Sequence, residues 1–187
     1  MRSACAGGFA LLGVLVMPAV GARADEVTIC YNYGCYATAP ADYSEEQLER
    51  LHQQLAAAAD ANAERAAISA VIGRMYAIAG EQTPVWRDKG GNYADGGENG
   101  KMDCIDHSTN TSAFLRLMQA HGWLRFHEVL EPIMRRRYLF AEHWAARIRD
   151  RETQRVYAVD SWFFDNGQPA AVLSVEDWLA GRTPRVQ

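Results

Sequence analysis

The stretch Glu142-His143-Trp144-Ala145-Ala146-Arg147-Ile148-Arg149-Asp150-Arg151-Glu152-Thr153-Gln154-Arg155-Val156-Tyr157-Ala158-Val159-Asp160 decides how the chain folds. β-Branched and aromatic residues recur in both halves and a polar cluster separates them, which predicts a β-hairpin turning over Arg149–Thr153. Side chains alternate between faces along a strand. A register that sets His143 opposite Asp160 therefore makes them cross-strand neighbours, and a slip of one residue separates them.

Outward from the hairpin, the same strand composition extends over Trp123–Leu130, Tyr138–Arg149 and Gln154–Phe164. Asp165-Asn166-Gly167 reads as a turn, and Ser174-Val175-Glu176-Asp177 caps a short closing helix carrying Trp178 and Leu179. Upstream the period changes. Ser44-Glu45-Glu46-Gln47 is a capping box opening a helix to about Ala59, with Leu48, Leu51 and Leu55 on one face. Asp60-Ala61-Asn62 interrupts it, and a second helix follows with Ala67, Val71, Met75 and Ile78 in phase, ended by Gly80. Residues 84–101, rich in Gly, Asn and Asp, form a long loop that delivers the chain to Asp103-Cys104. A third helix starts at Cys104, carries Ile105, Ala113, Phe114, Leu117 and Met118, and stops at Gly122. Helices precede strands, so the expected class is α+β, with N-terminal helices packed on an antiparallel sheet.

Residues 1–24 read as a secretory signal: Arg2, an apolar run from Phe9 to Val16, and Ala22-Arg23-Ala24 before Asp25. That run is too short for a membrane span, and no later segment qualifies. Residues 25–187 have the size of one domain, divided into an N-terminal segment (25–43), a helical hairpin (44–80) and a core (81–187). The chain carries a net charge of −4, and the signal contributes only basic residues, so the mature protein is more acidic still. This argues against nucleic acid as a partner. The basic run Arg135-Arg136-Arg137 reads as a solvated turn.

Export leaves three cysteines in an oxidising compartment, periplasmic or extracellular. Cys30 and Cys35 are close in sequence among turn residues and form a local disulfide, which leaves Cys104 as the free thiol. At a helix start its thiolate is favoured by the macrodipole, so it is a candidate nucleophile needing an imidazole and a group to orient that imidazole. Among the histidines, His52 lies on a polar helix face and His107 follows Cys104 too closely on the same helix. His121 sits at a helix end and His127 on the first strand. The hairpin selects His143 with Asp160.

Asp103-Cys104-Ile105-Asp106 at a helix start, then His143 and Asp160 on adjacent strands, resembles the bacterial transglutaminase-like cysteine proteinases and, more distantly, the transglutaminase core and the papain-like group. The resemblance covers roughly residues 80–165 and implies a papain/transglutaminase-like core. It implies Cys104 as nucleophile, His143 as general base and acid, and Asp160 orienting His143. It also implies an exported thiol hydrolase or protease, cleaving a peptide or amide bond of an envelope substrate through an acyl-enzyme. In relatives, acidic residues near the cysteine bind calcium, which here points weakly to Asp103 and Asp106, with Asp95 and Glu98 beside them. The candidates for a second oxyanion donor are Gln82, Trp86, Asn92 and Tyr93. Two competing readings are a metal-binding protein built on His107, His121, His127, His143 and the aspartates around Cys104, and a catalytically silent transglutaminase-like binding module. No H-E-x-x-H spacing supports the first.

Overall fold

In the computed structural model, residues 25–91, 97–137 and 141–184 are described. The signal reading of residues 1–24 and the candidate positions Asn92, Tyr93 and Asp95 lie outside them. The N-terminal segment, expected as a cysteine loop, is an antiparallel hairpin of β1 (Asp25–Tyr31) and β2 (Ala37–Tyr43). Its strands eluded sequence reading because Pro40, which lacks an N–H for a ladder, sits in β2. A two-stranded ribbon has only edge strands, where proline is tolerated.

Ser44 and Gln47 close the expected capping box at the start of α1 (Glu45–Ala56), which buries Leu48, Leu51 and Leu55. Asp60 caps α2 (Ala61–Gln82) through Ala63 N at 2.8 Å. Gly80 does not end α2. It is buried within the helix, where a Cβ would stand 2.7 Å from Asn166 Nδ2, so its small size serves packing rather than termination. A short 3₁₀ turn, Pro84–Arg87, precedes the loop, and α3 spans Cys104–Ala120. Gly122, in the left-handed region at φ 72°, closes α3 with Trp123 N donating to Met118 O at 3.0 Å.

The second sheet is a meander in the order β3 (His127–Arg137), β4 (Ala141–Asp150), β5 (Val156–Asp160) and β6 (Ala171–Ser174), followed by α4 (Val175–Leu179). Three expectations change here. The first strand begins at His127 rather than Trp123, the last expected strand stops at Asp160, and β6 is additional. Arg135, Arg136 and Arg137 lie inside β3 and not in a turn; Arg136 pairs with Glu142, and the Arg135 guanidinium stands 4.5 Å from the Trp178 ring centroid.

The β4–β5 hairpin is present in a different register. Its turn occupies Arg151–Gln154, with Asp150 N donating to Arg155 O at 2.9 Å and Gln154 at φ 59°. Asp150 Oδ1 accepts from Glu152 N and Thr153 N, which sets the turn later than expected. Ala146 therefore faces Val159 and Ile148 faces Tyr157, so Asp160 lies diagonal to His143 rather than opposite. The offset is two residues. An even offset keeps both side chains on one face.

One face of the sheet, with Ala146, Ile148 and Val159, joins the main core of β1, β2, α1, α2 and α3. The other, with Ala145 and Ala158, is covered by Trp178 of α4. The class is α+β with two antiparallel sheets, and no helix among the described residues is long and apolar enough to cross a membrane.

Candidate active site

Gly100 brings the loop back to α3. At φ 92° it lies so close to the Pro84 carbonyl that a Cβ would stand 2.1 Å from the oxygen, which excludes any side chain. The Asp103 carboxylate then accepts from Ile105 N and Asp106 N, both at 3.0 Å, and Asp106 Oδ2 accepts from Asp103 N at 3.2 Å. This reciprocal box fixes the first turn of α3 and leaves Cys104 as its first residue, half-buried and outside any disulfide. Asp103 takes the amides of Ile105 and Asp106, but not that of Cys104.

His143, the third residue of β4, is buried, and its Nε2–H donates to Asp160 Oδ2 at 2.7 Å. The Trp178 indole donates to the same oxygen at 2.8 Å, and Trp162 N donates to Asp160 Oδ1 at 3.2 Å, so Asp160 is held from both sides. Trp178 stacks on the imidazole with centroids 5.7 Å apart, and Trp162 meets it edge-on at 4.9 Å. Cys104 Sγ donates to the Glu142 carbonyl oxygen at 3.8 Å, next to His143, and interacts electrostatically with the imidazole. Since Nε2 is occupied by Asp160, Nδ1 is the nitrogen left for the sulfur. Burial alone lowers the pKa of His143, but the hydrogen bond with Asp160, the interaction with the Cys104 sulfur and the charges of both outweigh it, raising the pKa to about 9.

Cys30 and Cys35 are disulfide-bonded, and their loop docks on α3: Cys35 N donates to Asp106 Oδ1 at 2.6 Å, and Asn110 exchanges two hydrogen bonds with the Cys30 backbone. Asp106 is fully buried. Burial pushes its carboxyl up to about 6, reinforced by the charge of Asp103 and opposed by the backbone amides it accepts from. Of the two calcium candidates, Asp103 thus turns Oδ1, and Asp106 both oxygens, to backbone amides at the start of α3 and in the disulfide loop. The one group of potential metal ligands among the described residues is Cys30, Cys35 and Asp106, and its two sulfurs are joined to each other.

Of the oxyanion candidates, Gln82 gives its amide to Asp42 O and accepts from Asp42 N, so it is committed to β2, while Trp86 is exposed. The histidines of the metal reading are not brought together: His121 bonds Asp25 at 2.5 Å, His127 bonds Glu64 at 2.7 Å, and His107 bonds Asp88 at 3.0 Å. Sequence reasoning missed a buried polar cluster under Cys104, formed by Asp88, His107, Thr111, Ser161 and Tyr76. The only sequence signal for it was the run of polar residues, His107 to Thr111, where an amphipathic helix should bury apolar ones.

No protein-family model, no curated protein and no solved structure matches this chain.

Proposed function

We propose that this chain is an exported thiol hydrolase of transglutaminase-like type, acting on a peptide or amide bond. The observation that carries the reading is one arrangement: Cys104 at the first position of α3, its Sγ 3.8 Å from the carbonyl oxygen of Glu142 beside His143, and the His143 Nε2–H donating to Asp160 at 2.7 Å. The elevated His143 pKa favours imidazolium at neutral pH, the partner a thiolate requires. In this reading the Cys104 thiolate attacks the carbonyl carbon, and the Cys104 backbone amide donates to the developing oxyanion. His143 Nδ1–H protonates the leaving amine as the C–N bond breaks, giving a thioester. The neutral imidazole then takes a proton from water, whose oxygen attacks the thioester; the acid leaves and Cys104 and His143 recover their charges. Asp160 holds the ring and its tautomer throughout. The leader-like residues 1–24 and the disulfide support an exported, periplasmic or secreted setting.

Alkylation by iodoacetamide tests this. At pH 6 only ~0.3% of an ordinary thiol is thiolate, so Cys104 should react about tenfold or more faster than such a thiol. His143→Ala and Asp160→Asn should abolish the excess rate, whereas His121→Ala, at the opposite end of α3, should keep it. If Cys104 titrates as an ordinary thiol and neither variant changes its rate, the domain is a binding module with a structural cysteine.

A further inference from the structure

The polar cluster beneath Cys104 is not needed to fill space. Asp88, His107, Thr111, Ser161 and Tyr76 are all buried, and apolar residues of similar volume usually hold a core together as well as buried polar groups or better. What the cluster does is join particular points of the chain. Asp88, just after the 3₁₀ turn, accepts from Met102 N at 2.8 Å through Oδ1 and from His107 Nε2–H at 3.0 Å through Oδ2. Those contacts bracket Cys104 on both sides in sequence. His107 Nδ1 shares a hydrogen bond with Ser161 Oγ at 2.8 Å, and Ser161 Oγ meets Thr111 Oγ1 at 2.9 Å. Ser161 directly follows Asp160. Tyr76 of α2 closes the network, donating to His107 O at 3.1 Å and touching Thr111 Oγ1 at 3.2 Å. Burial raises the Tyr76 pKa, so the hydroxyl remains a neutral donor.

We propose that Asp88, His107, Thr111 and Ser161 are positioning residues of the Cys104 site, a hydrogen-bonded tie that sets the distance between the first turn of α3 and the end of β5. The inference rests on the reading of Cys104, His143 and Asp160 as a nucleophilic site. The nucleophile comes from α3 and its partners from β4 and β5, so no local geometry fixes their spacing, and a misplacement of ~1 Å can cost on the order of a hundredfold in rate. Ser161, His107 and Asp88 have the connectivity of a serine-hydrolase triad. The Ser161 oxygen, however, is buried between His107 and Thr111, so the chain acts on Cys104 through its neighbours.

The test is the pH profile of Cys104 alkylation by iodoacetamide from pH 5 to 9 in the full chain, with folding checked by far-UV circular dichroism and thermal melting. Ser161→Ala and the nearly isosteric Thr111→Val should each fold, lower the rate at pH 6 by about tenfold, and leave the rate at pH 9 within about twofold. Glu64→Gln is the control. It weakens an equally buried pair with His127, at the other end of the β3–β4 ladder from His143, and should lower the melting temperature without moving the profile. If Ser161→Ala and Thr111→Val keep the wild-type profile while His143→Ala loses its low-pH limb, the tie is overturned and the nucleophilic reading stands. If His143→Ala also keeps the wild-type profile, the reading itself fails and the tie falls with it.

Discussion

His143 is the residue where burial and electrostatics compete most directly. Its pKa in the fold is about 9, above the ordinary value of 6.5, so the native state binds a proton that the unfolded chain releases between those values. The sign follows. The contribution of His143's interactions with Asp160 and Cys104 is fully present below about pH 6.5 and is lost as pH rises towards 9, amounting to at most about 3 kcal/mol. Urea unfolding of the wild type at pH 6 and pH 9 should show this fall. Asp160→Asn, which removes one of the two charges that raise the pKa, should show a smaller difference between the same two pH values. The pattern in Cys104, His143 and Asp160 was legible in the sequence because each has a local signature: a helix start, and two positions of matching parity in a hairpin. Their supporters Trp178 and Ser161 had none, because an indole bonded to Asp160 and a hydroxyl bonded to His107 are contacts made only by folding.

At the scale of elements, α2 shows how packing overrides propensity. Gly73 and Gly80 are helix-interior glycines, and alanine at such positions is ordinarily favoured by about 1 kcal/mol. At Gly73, however, a Cβ would stand 2.6 Å from the Gln168 carbonyl oxygen and 2.9 Å from Pro169 N, both backbone atoms that cannot rotate away. Overpacking of this kind costs about 1–3 kcal/mol, so Gly73→Ala should be destabilising on balance, read as a lowered urea midpoint with the slope unchanged. The helix periodicity of Val71 and Met75 was readable; the end assigned at Gly80 was not, because a glycine that stops a helix and one that admits a neighbouring loop look alike in sequence. The register of β4 and β5 has a similar origin. Asp150 captures two amides of the turn and moves its centre, a choice made by one side chain against several polar competitors.

At the scale of the molecule, the β1–β2 ribbon joins the core of α1, α2, α3 and one face of the second sheet, so these elements should melt in one transition. The disulfide closes the connection between the two ribbon strands, where Asn32, Tyr33, Gly34 and Cys35 all adopt positive φ. Three of these are not glycine and give up their left-handed conformation readily once unclamped. For so short a loop, reduction should cost about 2 kcal/mol by loop entropy, measured as the difference in unfolding free energy with and without dithiothreitol. Because the loop is docked on Asp106 and Asn110, reduction should also loosen the first turns of α3, seen as faster amide exchange there.

By itself the sequence determined the helix starts, since Ser44, Asp60, Asp103 and Ser174 satisfy amides within three residues of themselves, and its alternation predicted a shared face for His143 and Asp160, which the two-residue change of register kept. It also determined the pairing of Cys30 with Cys35, which are close in sequence. Tertiary structure alone decided the register, the strand character of residues 25–43 and 171–174, and the buried tie from Asp88 through His107 to Ser161. The physical reason is range. Caps and parity are local properties of the backbone, whereas a hydrogen bond between residues more than fifty positions apart exists only once the core has closed around it.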